Sequence, residues 1–294
     1  MNNLKINNKE QKTAVITGAS EGIGAAFSKL LIKKGWKVIG ISRSTSKLKA
    51  ISKSFPSSKQ SFKFFSCDVQ DLKKLKSIAK EIIAPDLLLL NAGIYSPVSA
   101  SEINIDLYKK HLNINYLGVL NSYEAFLPGL LRKRNGHIII MSSVSGWIGL
   151  PKAAAYGPTK AALRSFAQSA RYDLNPKGIK IQLCSPGFID TQATSINDFY
   201  MPGLMNVNEA ANLIFKYMNS NKFEFSFPLS FSIFMKIFSY LPDRISTYLI
   251  KKFIIIITRI ISVCIISYFN IFNEYLISFF KWETTTLIIK TTTL

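Results

Sequence analysis

Cysteine and histidine are nearly missing from this 294-residue chain, which has only Cys67, Cys184 and Cys264 and only His111 and His137. The cysteines lie far apart with no metal-ligand spacing, so no metal site is expected. Cys67 and Cys184 end apolar runs and read as buried, reduced thiols of a cytoplasmic protein. Neither histidine has a carboxylate or cysteine near it in sequence, so both are expected to be structural. Acidic residues are also scarce, 17 against 37 lysines and arginines, for a formal charge of +20. A nucleic-acid surface would need a basic stripe with aromatic platforms. Here lysines such as Lys73, Lys74, Lys76 and Lys80 are scattered over helix surfaces, and no nucleic-acid partner is expected. A negatively charged membrane is the functional alternative, since each basic residue near anionic lipid contributes about 1 kcal/mol. The first dozen residues, MNNLKINNKEQK, contain no apolar stretch, so a secretory signal is not expected.

What the chain has is apolar material, 48% of its residues. Short apolar runs at 14–17, 38–42, 63–67, 87–91, 137–142 and 180–185 alternate with helical patterns at 23–34, 72–83 and 160–173. Most runs are continuously apolar, as in strands covered on both faces, which predicts an α/β fold with a doubly wound parallel sheet. After residue 228 the pattern changes to apolar helical spacing at Phe234, Ile237, Phe238 and Leu241, a break at Pro242-Asp243, and another short helix from Ile245. The expected division is a polar arm (1–12), a catalytic domain (13–228) and a hydrophobic helical tail (229–294).

The first run leads into Thr17-Gly18-Ala19-Ser20-Glu21-Gly22-Ile23-Gly24 and then a helix. Gly18 and Gly22 allow a tight turn and close backbone approach to a pyrophosphate, and Gly24 lets the helix sit close on the strand. The helix N-terminus then faces the phosphates. This segment resembles the cofactor turn of the short-chain dehydrogenase/reductase family, TGxxxGxG. The family pattern continues in order at Asp68-Val69, Asn91-Ala92-Gly93, Asn115, Ser143, Tyr156 with Lys160, and Pro186-Gly187 with Thr191. Leu90 stands where the family often has a further asparagine.

The resemblance implies a Rossmann-type oxidoreductase, a homo-oligomer, acting on a small-molecule ketone or secondary alcohol. It implies that Ser20, Glu21 and Ile23 join the glycines at the cofactor. Asp68 would bond the adenine amino group, and Val69 would line its slot; Asp68 is alternatively the cap of the helix at Leu72. Asn91, Ala92 and Gly93 would close the strand end beneath the ribose. Pro186, Gly187, Ile189 and Thr191 would hold the nicotinamide carboxamide. At the end of the second run stands Ser42 and then Arg43, where an acidic residue would select NAD. A guanidinium can take a 2′-phosphate, so NADP(H) is favoured, with NAD(H) open because of Glu21.

Tyr156 and Lys160 are four apart at a helix start and share a face. A charge about 4 Å from the phenol at an effective dielectric near 20 is worth roughly 4 kcal/mol, enough to lower its pKa toward neutrality. By the resemblance Ser143 binds the substrate carbonyl and Asn115 kinks a helix in the proton relay. Ser142 is the alternative hydroxyl but faces the other way along a strand. Pro158 falls in the first helical turn, where proline is tolerated. The segment 191–207, with Phe199, Tyr200 and Met201, is expected to be a lid over an apolar substrate.

Two other readings stay open: a cofactor-binding scaffold without turnover, and a membrane-docked interaction protein. For the tail, 253–269 is short for a bilayer span and carries Arg259. A membrane-surface anchor beside Lys251-Lys252, packing on the catalytic domain or a partner, and a non-native extension all remain open.

Overall fold

The computed structural model describes residues 11–55, 61–82 and 84–252. The apolar run 253–269, Cys264 and most of the N-terminal arm, and with them the readings of the tail, lie outside the described residues. Two compact units are present. The first comprises the chain up to Asn197 together with Met201–Tyr240; the second comprises Asp198–Tyr200 and the chain from Leu241.

In the first unit seven strands form one parallel sheet: β1 (Thr13–Thr17), β2 (Lys37–Ser42), β3 (Phe62–Ser66), β4 (Leu87–Leu90), β5 (Gly136–Met141), β6 (Ile179–Cys184) and β7 (Glu224–Phe225). Their order is β3-β2-β1-β4-β5-β6-β7. This is the doubly wound Rossmann-type sheet that the alternating pattern predicts. Leu87–Leu90 shows why the runs lack alternation: all four leucines are buried. Leu87 and Leu89 belong to the core on one face, with Phe27 and Leu31; Leu88 and Leu90 belong to the core on the other, with Phe126 and Leu163. The two-residue β7 was not legible as a strand, because so short a segment carries no periodicity.

The helices are α1 (Gly22–Lys33), α2 (Thr45–Lys53), α3 (Leu72–Lys80), α4 (Ile105–His111), α5 (Gly118–Lys133), α6 (Gly157–Leu174), α7 (Val207–Met218) and α8 (Leu229–Phe238). In α3 Leu75 and Ile78 are buried while Lys73, Lys74, Lys76 and Lys80 are exposed, the solvated face expected of scattered lysines. Its cap is Asp71, which accepts from Lys74 N at 2.9 Å. Asp68 is therefore not the cap; its Oδ1 accepts from Gln70 N at 2.9 Å, in a turn of its own. Between α4 and α5 runs a π-helical turn, Leu112–Leu117. Cys67 and Cys184 are buried free thiols. His111 Nδ1 bonds Leu107 O at 2.9 Å, and burial pushes His137 down to about 4, so both are structural as expected.

In the second unit residues 243–252 are helical as far as they are described. Among the described residues no helix is long and apolar enough to cross a membrane.

Candidate functional site

Strand order reverses between β1 and β4, and in such sheets the crevice at the carboxyl ends of those strands is where ligands bind. A cleft of about 650 Å³ opens there, walled by residues that follow β1, β2, β3, β4, β5 and β6. The turn after β1 is locked from both sides. Asn91 Nδ2 donates to Thr17 O (3.1 Å) and Gly18 O (3.2 Å), and Thr17 Oγ1 accepts from the amides of Asn91 (3.0 Å) and Ala92 (3.1 Å). Gly18 has φ +67°, and a Cβ on Gly24 would stand 2.2 Å from Gly18 O. The glycines thus permit a backbone-to-backbone approach that no side chain fits. Glu21 precedes α1 without capping it, which leaves the first-turn amides to an anion in the cleft. These features fit the pyrophosphate of a dinucleotide.

At the end of β2, Ser42 Oγ donates to Ser20 Oγ at 2.7 Å, and Arg43 lies 3.8 Å from Asp68 Oδ2. Glu21 is neutralised by a residue that the sequence did not single out, since Lys47 of α2 pairs with its carboxylate. Lys47 also donates to Gln192 Oε1 at 3.2 Å. Val69, facing the cleft, is packed so closely by α5 that a Cβ on Gly118 would sit 2.5 Å from it.

Tyr156 and Lys160 stand on the cleft wall at the start of α6, together with Asn91, Ala92, Gly93, Pro186 and Thr191. Asn115, fully buried in the π-helical turn, accepts from Ile94 N (2.7 Å) and donates to Ile94 O (2.9 Å) and Thr159 Oγ1 (3.3 Å). It ties the loop after β4 to the start of α6. Ser142 is committed elsewhere, donating to Lys160 O at 3.0 Å. Ser143 hydrogen-bonds Tyr156, but it is Ser142 and not Ser143 that lines the cleft. Gly24, Asn115, Ser143, Gly187 and Ile189 are not among the residues that line the cleft. The Ile189 side chain belongs to the core, and an added Cβ on Gly187 would stand 2.8 Å from the Phe231 ring of α8.

The electrostatics differ from the sequence expectation. Burial pushes the Tyr156 phenol up to about 12, opposed by the Ser143 hydrogen bond, and Tyr95 adds to the rise. Burial pushes Lys160 down to about 8. The ammonium lies 5.4 Å from the Tyr156 ring centroid and donates to Met141 O at 2.9 Å. The sequence placed the charge about 4 Å from the phenol at moderate dielectric; the structure turns it to a carbonyl and makes desolvation the larger effect. The phenol therefore keeps its proton at neutral pH.

Tyr95 was also not anticipated. Its ring meets Tyr156 edge-on with centroids 5.2 Å apart, and its hydroxyl donates to Asn197 Oδ1 at 3.0 Å. Nothing in its local sequence marks it, because the contact joins residues that fold together from separate loops.

Comparison with known proteins agrees with this architecture. A family profile described as short chain dehydrogenase matches residues 12–198. An uncharacterized oxidoreductase of Myxococcus xanthus is 28% identical over 236 residues, 79% of this chain and 93% of that one. A 3-oxoacyl-acyl-carrier-protein reductase of Vibrio harveyi is 33% identical over 193 residues, 65% of this chain and 79% of that one. Among solved structures, ElxO with NADP bound is 26% identical with a TM-score of 0.66, covering 74% of this chain and 96% of that one.

Proposed function

The chain belongs to the short-chain dehydrogenase/reductase family and is an oxidoreductase, and within that family we propose that it interconverts an apolar ketone and its secondary alcohol with NADP(H). The nicotinamide, when bound, supplies or accepts the hydride. Tyr156 gives the proton to the carbonyl oxygen in reduction and takes it back in oxidation. Ser143, bonded to Tyr156, polarises the same oxygen. Lys160 holds positive charge beside the phenol and reaches the ribose, while Asn115 fixes the loop and helix that carry these groups.

The observation that carries this reading is the half-buried Tyr156 on the cleft wall, bonded to Ser143 and faced by Lys160. For the cofactor, Gly18, Gly22 and Gly24 with the amides of α1 take the pyrophosphate. Arg43 takes the 2′-phosphate, beside the Asp68 carboxylate 3.8 Å away, and the Lys47–Glu21 pair offsets the other nearby acidic charge. Asp68 and Val69 receive the adenine. Asn91, Ala92 and Gly93 receive the ribose, and Pro186, Gly187, Ile189 and Thr191 receive the carboxamide. ElxO, with NADP bound, supports this choice.

The reading extends to a cytoplasmic homo-oligomer whose catalytic domain spans 13–228, with membrane contact through its tail. Oxidation of NADPH and of NADH by the purified protein, against a panel of long-chain and cyclic ketones, tests it. No turnover with any ketone, despite NADPH binding, would leave the scaffold reading in its place.

A further inference from the structure

One partly buried acid takes no part in the chemistry proposed above. Glu224 stands on the two-residue strand β7, in register with Leu183 of β6, and its side chain is only 15% exposed. Its neighbour Phe225 enters the core on one face of the sheet, so alternation turns Glu224 to the other. Taking a carboxylate out of water is costly unless hydrogen bonds and cations replace the water. Here four groups do so. Oε1 accepts from Trp147 Nε1 at 2.5 Å and from Ser185 Oγ at 2.8 Å. Oε2 lies 3.5 Å from Arg164 Nε and 3.6 Å from Lys236 Nζ.

Three of these partners come from the segments that carry the proposed chemistry. Trp147 closes the single turn 144–146 that follows Ser143, its amide donating to Val144 O at 3.0 Å. Its indole is also held on the ring face, where Lys236 Nζ lies 4.6 Å from the centroid. Ser185 follows β6 directly and precedes Pro186, which is on the cleft wall. Arg164 is four residues beyond Lys160 on α6, one turn along the same face. At the cleft end the two loops meet at one carbonyl. Pro186 O accepts from Val144 N at 3.1 Å and from Ser143 Oγ at 3.4 Å. At the far end they meet again at Glu224, whose single oxygen Oε1 takes both the indole and the Ser185 hydroxyl.

Two loops joined at both ends form a closed frame, and a displacement of Oε1 shifts both sides of it. We propose that Glu224 is a positioning residue that holds the turn after Ser143 and the loop at Pro186 in register. The hydroxyl bonded to Tyr156 and the segment assigned to the carboxamide thereby keep a fixed separation. The effect on turnover rests on the catalytic roles proposed above, whereas the effect on dinucleotide binding is read without turnover.

Each side of the frame can be cut alone. Trp147→Phe removes the donor on the Ser143 side, and kcat for ketone reduction should fall about tenfold, as for a displaced reacting group. Its dinucleotide affinity should stay within about twofold. Ser185→Ala removes the donor on the Pro186 side, and affinity for the better bound of NADPH and NADH should fall about fivefold. Glu224→Ala should show both losses. Glu224→Gln keeps an acceptor oxygen and should recover most of each relative to Glu224→Ala, with circular dichroism confirming the fold of every variant. A lower melting temperature in Glu224→Ala with kcat, KM and affinity unchanged would reduce the carboxylate to an anchor of α8 and overturn the proposal. Equal losses of kcat and affinity from both Trp147→Phe and Ser185→Ala would overturn it too. If Glu224→Ala does not fold, those two variants decide. If the unmodified protein reduces no ketone, the catalytic reading has failed by itself. Dinucleotide affinity then decides alone, and an unchanged value in Ser185→Ala overturns the positioning role.

Discussion

The ammonium of Lys160 points at the carbonyl of Met141, 2.9 Å away, and lies over the Tyr156 ring at 5.4 Å from its centroid. Lys160 is buried and Tyr156 half-buried, and each is driven toward its neutral form: the phenol up to about 12, the amine down to about 8. The reducing direction benefits, because the acid keeps its proton and the cation is the group that titrates first.

Reduction should therefore slow as pH rises through about 8, where Lys160 loses its charge, well below the phenol at about 12. Lys160→Met should be slower throughout and should lack that limb. An alkaline limb near 8 that persists in Lys160→Met would assign it to another group.

Stability carries the same signature. Between about 8 and the ordinary 10.5 the unfolded chain binds a proton at this lysine that the folded chain does not, so stability rises with pH. A shift of this size corresponds to about 3 kcal/mol at most. Tyr156 contributes with the opposite sign above pH 10, so denaturant unfolding should be followed only below that value. Across this window the unmodified protein should gain on Lys160→Met; parallel curves for the two would refute the assignment.

Tyr156→Phe keeps the ring against Tyr95 but removes the transferable proton. NADPH affinity, read by fluorescence titration, should stay within about twofold, while turnover falls by at least 10²-fold, the low end of roughly 10²–10⁴ for acid/base catalysis. Near-normal turnover in this variant would sink the mechanism while leaving the family intact.

Arg43→Ala should weaken NADPH binding far more than NADH binding, since a charge-assisted bond is worth about 1.5–3 kcal/mol and only NADPH presents the extra phosphate. Lys47→Ala should also disfavour NADPH, by exposing the Glu21 carboxylate to the cleft. Calorimetry with both cofactors measures the two effects, and equal binding of NADPH and NADH by the unmodified protein would dismiss Arg43 as the selector.

Gly24→Ala would drive a methyl into Gly18 O and Asn91 Nδ2, 2.2 and 2.7 Å away. Since the nearest obstacle is backbone, the turn must shift, at about 1–3 kcal/mol. A lower melting temperature with loss of dinucleotide binding is expected; unchanged binding would show that the turn is not the pyrophosphate cradle.

Much of this protein was determined by local sequence. Strand cores such as Leu87–Leu90 have no polar face to show water, so a two-sided cover is forced and the parallel sheet follows. The glycine turn and the Tyr156–Lys160 spacing could be read because turn geometry and the four-residue helical spacing act over short stretches, whereas Ser143 was singled out by the family resemblance. Tertiary structure decided the rest. Asn91 locks the turn, Lys47 neutralises Glu21, and Tyr95 meets Tyr156, each through a partner brought in from elsewhere in the chain. The sign of the Tyr156 shift belongs to this group as well. Spacing placed a cation near the phenol, but desolvation depends on everything packed around the pair, and only the folded chain fixes that.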